Sequence, residues 1–571
     1  MGKAVVAAIS LILVVGAVIG TVVIVKERNK NGTPATGGSS SGGISTGMKA
    51  VDTLCSPTKN KDLCIETLSP VAKGDTNASP KAFVEASFQA TIKAVNQALI
   101  DSKSLDKETK DKYDVSSLEV CKKYIEYAAE DLERAISKIS KSDMKKTGDL
   151  ARDLNIMLSA VLSYKSTCVE EMDNPKLKEA LQGGVLLNTT QLAENGLAIV
   201  EGIAQFLENI NLDLSALTGK QTNRRLLDIG EDGYPTWLSA SDRKLLQVKE
   251  NAKPHVTVAK DGSGQFKTIQ EAVNSYPKKH QGRYIIYVKK GIYQEYVTID
   301  SKTHNIYMYG DGAKETIVTG NRNYKIMGIK TSQTATFSVM GNGFMAKAMG
   351  FQNTAGPQGH QAVALLTKGD YAAFYDCVFE GYQDTLYYQA NKSFYRNCVI
   401  SGTVDFIFGR GAAVIQNSEI IVRKPEINQF NCVTADGTDE KDEKTGLVLQ
   451  NCVIKGEPAL IANKNIKTYL GRPWGEFART IFMESDLPDF IIPEGYNIWN
   501  ATSTNHLTAD YKEFANRGPG ANAAARVKWP SFAVVTDPKA VERFTTGQWL
   551  LGGEWLPETG VPFELGFSKA A

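Results

Sequence analysis

Four short segments set the limits on what this chain can fold into. FYDCVFEG (374–381), FYRNCVISG (394–402), VIQNSEII (414–421) and VLQNCVIKG (448–456) are variants of one unit: aromatic or aliphatic, Asn or Asp, Cys or Ser, then β-branched. The first three recur about every 20–22 residues; Cys377 and Cys398 are 21 apart, Cys432 and Cys452 20 apart. Short β-prone runs at that period, with Gly and Asn between them and no helix, cannot bury a face singly but can do so stacked coil on coil. The expected class is a parallel β-helix, an all-β solenoid, running from about residue 248 to 571. A β-propeller would need longer repeats.

The first half reads differently. Between residues 48 and 212, segments such as FVEASFQATIKAVNQALI and CKKYIEYAAEDLERAISKI carry apolar residues three and four apart, and Gly and Pro are scarce within them. That spacing predicts an all-α four-helix bundle. Ahead of it, residues 31–47 form a Gly/Ser/Thr linker. Residues 1–30 hold a 22-residue uncharged run, Ala4–Val25, long enough to span a bilayer. It is read as a signal anchor that sends the rest of the chain into the secretory pathway, the only membrane association expected. Sequons at Asn77, Asn188, Asn391 and Asn500 would then be open to glycosylation. Residues 213–247 lose periodicity and contain RRLL and RKLL; Arg224–Arg225 and Arg243–Lys244 suit a processing protease. Sixty-five basic against 63 acidic residues leave net +2 and argue for no nucleic acid partner. The cysteines divide four and four, with no CxxC pair, which favours disulfides over zinc. In the solenoid, Cys377 and Cys398 would be bridged or simply stacked.

The same period gathers polar groups. Gln361, Gln383 and Asp405 are 22 residues apart in turn, with Asp384 beside Gln383. Two amides and two carboxylates would thus share one face, either as a groove-facing site or as an amide ladder joining the coils. Asp405 lies in ISGTVDFIFG, where Val404, Phe406 and Phe408 should alternate with Thr403, Asp405 and Ile407. A buried carboxylate needs a partner. Arg472, in the loop TYLGRPWGEF, could supply one, and Trp474 an apolar face for a sugar ring. Both GxSxG matches fall in the flexible linker, without the strand–turn–helix setting of a nucleophile elbow. There is no HExxH, and His360 reads as structural.

DGSGQFKTIQEAV, YVKKGIYQEYV, GDGAKETIVTG, GFMAKAMGFQNTAGPQGHQAVAL, GYQDTLYY, ISGTVDFIFG and TYLGRPW together resemble the plant pectinesterases (pectin methylesterases), in the family order and over nearly the whole chain. The helical half resembles a pectinesterase-inhibitor-type pro-region, and the ensemble looks most like the pollen-type branch. The resemblance implies a right-handed β-helix that hydrolyses methyl esters of pectin without metal or cofactor. It implies Asp405 as nucleophile, Asp384 as general acid then base, and Gln383 and Gln361 as oxyanion stabilisers. Thr331, Gln361, Arg472, Trp474, Tyr387 and Phe408 would bind substrate, Arg472 also holding Asp405. It implies pairs Cys55–Cys64 and Cys121–Cys168, cell-wall localisation, a pro-region restraining activity until the basic sites are cut, and a possible proteinaceous inhibitor as partner. Leu366, Arg410–Gly411, Gly475, Ser418 and Cys432 depart from the usual pattern, leaving the pairing of Cys432 and Cys452 open. A pectate lyase or polygalacturonase on the same scaffold, and a non-catalytic inhibitor, are the alternatives; methanol release without chain shortening separates them.

Overall fold

The computed structural model describes residues 46–105, 109, 111–142, 147–218, 253–463 and 465–568, in two compact units, Met1–Arg225 and Leu226–Ala571. Ala4–Val25 and both dibasic pairs, Arg224–Arg225 and Arg243–Lys244, lie outside the described residues. Among the described residues no helix is long and apolar enough to cross a membrane.

In the first unit, α1 (Thr46–Cys55) and α2 (Lys61–Gly74) precede four longer or linked helices: α3 (Pro80–Ser102), α4 (Lys112–Lys141), α5 (Thr147–Glu170) and, after the short α6 (Pro175–Ala180), α7 (Leu187–Thr218). Caps start the helices where the sequence supplies short polar side chains. Ser79 accepts from the Ala82 amide, and Asp111 from those of Tyr113 and Asp114. Helices α3, α4, α5 and α7 each pack against two of the others, closing a four-membered ring. The stripe Leu118, Cys121, Ile125, Leu132 and Ile139 of α4 is buried in it. Cys55 is bonded to Cys64, tying α1 to α2, and Cys121 to Cys168, tying α4 to α5. Asn77 and Asn188 are exposed.

The second unit is a solenoid of parallel strands in three sheets, of eleven, seven and seven strands. The central coils give one strand to each sheet, as in Leu365–Thr367, Ala372–Tyr375 and Val378–Glu380, then Leu386–Tyr388, Lys392–Arg396 and Val399–Gly402, while strands at the two ends extend the largest sheet alone. Aromatic side chains stack up the interior, with Phe351 on Phe379 (5.5 Å) and Phe374 on Tyr395 (5.1 Å). Burying one such ring stabilises the fold by roughly 1.5–3 kcal/mol. The Asn/Asp of the repeat has a conformational reason. Asp376, Asn397, Asn417 and Asn451 turn one corner at φ +51° to +53°, the left-handed region that Asn and Asp tolerate best among residues with a Cβ.

Three expectations are corrected here. Cys377 and Cys398 occupy equivalent corner positions on successive coils, yet both are buried free thiols, as are Cys432 and Cys452. Parallel coils keep equivalent Cβ atoms about 4.8 Å apart, beyond the ~3.8 Å a disulfide prefers. The two thiols instead face backbone carbonyls, of Tyr375 at 3.3 Å and of Arg396 at 3.3 Å. Asn391 is no glycosylation site either, being buried with its amide donating to the Lys368 carbonyl at 3.0 Å. Finally, Phe406 and Ile407 both enter the core while Phe408 packs in a separate cluster, so strict alternation fails. A left-handed residue, Asp405 (φ +49°), resets the strand just before them.

Candidate active site

The register places the carboxylates. Leu365 pairs with Leu386, and Leu386 with Ile407, 21 residues on each time. Two residues before those pairs, Asp384 and Asp405 therefore occupy equivalent positions, both with positive φ (+64° and +49°). The 22-residue spacing, which set Asp405 over Gln383, is off by one: Asp405 stacks on Asp384. The Asp384 amide donates to the Val404 carbonyl at 3.1 Å and the Leu386 amide to that of Phe406 at 2.9 Å, so the two turns are locked coil to coil.

Arg472 follows the strand Thr468–Gly471 and reaches Asp405 bidentately, Nε to Oδ1 at 2.8 Å and Nη2 to Oδ2 at 2.5 Å. Its third nitrogen, Nη1, donates to the Trp499 carbonyl at 3.1 Å, and the guanidinium lies 4.2 Å from the Trp499 ring centroid. Burial alone would lower the Arg472 pKa, but the charge and hydrogen bonds of Asp405 outweigh it and raise it. Asp384 is buried with no such partner. Burial first, and the charge of Asp405 second, hold its carboxyl well above the usual range, with Arg472 offsetting only part. The two adjacent carboxyls thus sit in unlike surroundings, Asp405 ion-paired with Arg472 and Asp384 buried where its neutral form is favoured.

The amides sit beside them. The Gln383 carbonyl accepts from the Ala362 amide at 3.2 Å, and that of Gln361 from the Tyr324 amide at 2.9 Å, which fixes both backbones. Neither side-chain amide is hydrogen-bonded by another described residue, and Gln361 Oε1 is buried without a partner. Such unclaimed polar groups are available to a ligand. Thr331 opens the 3₁₀ turn Thr331–Thr334, and the Thr334 hydroxyl accepts from the Val363 amide at 3.0 Å.

Leu366, Tyr387, Phe408 and Ala435 are consecutive register partners and form an apolar row on the opposite sheet face from Leu365, Leu386 and Ile407. The Tyr387 and Phe408 rings stack at 4.3 Å, and Trp474 and Trp499 pack against the row. His360 lies 3.4 Å from Glu426 at the periphery.

The sequence pattern does not single out Trp499 for this site. Trp499 comes from a loop 27 positions beyond Arg472, with no local motif to mark it. The amide ladder that competed with a site reading also exists, but elsewhere: Gln416 donates to Gln450 at 2.9 Å and Gln450 to Glu484 at 2.8 Å. Among the described residues no cluster of His, Cys, Asp and Glu could hold a metal ion.

Residues 255–554 match the pectinesterase family model and residues 49–199 that of the plant invertase/pectin methylesterase inhibitor. The chain is 40% identical to a probable pectinesterase/pectinesterase inhibitor of Brassica napus, over 99% of this chain and 100% of the relative. It is 39% identical to pectinesterase 4 of Arabidopsis thaliana over the same shares. Pectin methylesterase from carrot, a solved structure, matches with 42% identity and a TM-score of 0.55, over 56% of this chain and 100% of that one. With the register, the paired carboxylates and these matches in hand, the chain belongs to the pectinesterase family, joined to an inhibitor-type helical domain.

Proposed function

We propose that the chain hydrolyses the methyl esters of galacturonate units in pectin through an acyl-enzyme on Asp405. The observation that carries this reading is the bidentate Arg472–Asp405 pair stacked next to the buried Asp384, where burial and the charge of Asp405 favour the neutral acid. A carboxylate oxygen of Asp405 attacks the C6 ester carbonyl. The side-chain amides of Gln361 and Gln383 donate to the developing oxyanion, a contribution of ~3 kcal/mol per donor. Asp384 gives its proton to the methoxy oxygen, the C–O bond breaks, and neutral methanol leaves an anhydride between Asp405 and galacturonate. Asp384, now a carboxylate, takes a proton from water as that water's oxygen adds to the galacturonyl carbonyl. Collapse returns the Asp405 carboxylate to Arg472, and the new galacturonic acid sheds its proton to solvent.

The apolar row Leu366–Tyr387–Phe408 and the Trp474 ring would form the floor on which sugar rings lie, with Thr331 and Arg472 as further substrate-binding groups. Methanol release from highly esterified pectin tests the reading. Wild type should release methanol without shortening the polymer, and a correctly processed Asp405→Ala variant should lose at least about 1,000-fold in kcat. Activity in that variant equal to wild type would refute the nucleophile assignment; shorter chains without methanol would refute the esterase.

We further propose that Ala4–Val25 directs the chain to the secretory pathway and the cell wall. The exposed sequons Asn77, Asn188 and Asn500 accord with that route. The helical domain would restrain the catalytic unit until a protease cuts at Arg224–Arg225 or Arg243–Lys244. A variant with all four basic residues replaced should be secreted poorly or lack activity, and full activity with unchanged secretion would count against the restraint.

A further inference from the structure

A buried cation lies against the aromatic floor of the proposed groove. Phe408 belongs to the apolar row, and two residues on, Arg410 leaves the strand Ile407–Gly409. The Arg410 amide donates to the Tyr388 carbonyl at 3.1 Å, so its backbone is fixed to the preceding coil. Its side chain is buried, and the guanidinium lies 3.8 Å from the centroid of the Trp474 ring. Arg410 Nη2 is 3.3 Å from Asp439 Oδ2, on a carboxylate that stays partly exposed. Gly437 closes the same space: a Cβ there would stand 2.6 Å from Trp474 Cε3 and 3.0 Å from Arg410 Cγ.

The loop that carries Trp474 is pinned through its backbone. The Trp474 amide donates to the Asp436 carbonyl at 3.0 Å, and the Asn505 side-chain amide donates to the Trp474 carbonyl at 2.7 Å. Those bonds place the Cα and leave the ring to be oriented by what lies against it. Its aromatic neighbours are farther off: Phe408 at 6.1 Å, tilted by 52°, and Trp499 at 6.3 Å. The Arg410 guanidinium is the closest of the three, and an indole is the best ring partner for a cation. An apolar side chain could fill the same volume, but only a planar cation is drawn to the ring face, with Asp439 compensating its charge.

We propose that Arg410 is a positioning residue for substrate binding: stacked on Trp474 and packed against Gly437, it fixes the indole in the orientation on which a galacturonate ring of the polymer rests. The role concerns the floor and not the chemical step, because Arg472 is held independently, by Asp405 and the Trp499 carbonyl. It rests on the reading of Trp474 as part of the substrate floor made above.

The test is a double-mutant cycle between Arg410→Met, which keeps an unbranched side chain and removes the planar cation, and Trp474→Ala. The processed protein is assayed for methanol release from highly esterified pectin, alongside thermal melting. Arg410→Lys, which keeps the charge without the plane, is measured in parallel, and Arg410→Gln replaces the Met variant if that one fails to fold. The expected result is a KM about tenfold higher in Arg410→Met with kcat within about twofold of wild type, a smaller rise in Arg410→Lys, and no further rise when Arg410→Met is added to Trp474→Ala. Wild-type KM in Arg410→Met overturns the inference. So does a rise that adds in full to that of Trp474→Ala, which would mean that Arg410 acts elsewhere. A lower kcat that follows a lowered melting temperature with KM unchanged overturns it too, as a loss of packing alone. Wild-type KM in Trp474→Ala would remove the floor reading and the inference with it, while the esterase reading is judged separately, by methanol release from the wild type.

Discussion

At Asp384 the mechanism and the stability of the fold pull on one proton. Burial and the neighbouring charge of Asp405 favour the neutral acid, which is the form the first step needs. Because its folded pKa lies above the unfolded value, Asp384 adds stability that is complete below the ordinary carboxyl range and is lost as pH rises through the raised value. Asp384→Asn should therefore match wild type in melting temperature at low pH and exceed it at high pH. Its kcat should fall by about 100- to 10,000-fold, the usual worth of a general acid. Thermal melts over a pH series check the first part: parallel curves for the two proteins would mean that Asp384 is not held neutral. Wild-type kcat should decline on the alkaline side as the same proton leaves, and a flat alkaline limb would argue against Asp384 as the acid. In sequence, Asp384 and Asp405 were visible as a pair on neighbouring coils, but their one-residue offset was not. Both adopt left-handed backbone, and a turn of that kind absorbs a residue without leaving a mark in the hydrophobic pattern.

Among the elements, the corner formed by Asp376, Asn397, Asn417 and Asn451 carries the repeat. Asn397 is exposed, so replacing it probes the backbone more than the core. Asn397→Val forces a β-branched residue to φ +53° and should cost about 1–2 kcal/mol, whereas Asn397→Gly should cost clearly less. Urea unfolding of the two variants decides it; equal losses would show that the side chain, not the left-handed turn, is what matters there. The Asn–Cys pattern was legible from the chain because each corner repeats the same conformational demand. The partner of the cysteine was not. Cys377 and Cys398 stand one coil apart exactly as their spacing implied, yet the geometry of parallel stacking holds them as separate thiols.

For the molecule as a whole, the two units depend on different chemistry. The helical unit is closed by Cys55–Cys64 and Cys121–Cys168, which span 9 and 47 positions, whereas the four solenoid cysteines are free. Loop-closure entropy makes the longer bridge worth roughly 4 kcal/mol. A thiol reductant should thus lower the melting of the helical signal of the full chain and leave the solenoid transition in place. A solenoid transition that moved equally would contradict the free thiols.

The repeat, its period and its apolar faces dictated a stacked solenoid, and the three- and four-residue spacing of the first half dictated helices, because both follow from which side chains can be buried by local periodicity. The motif residues Gln361, Gln383, Asp384, Asp405 and Arg472 were likewise readable along the chain. Only the tertiary structure decided that Asp405 stands on Asp384 and that Arg472 grips it with help from Trp499. Asp384, Arg472 and Trp499 lie 21, 67 and 94 positions from Asp405, and those separations depend on loops of unequal length that the hydrophobic pattern does not count.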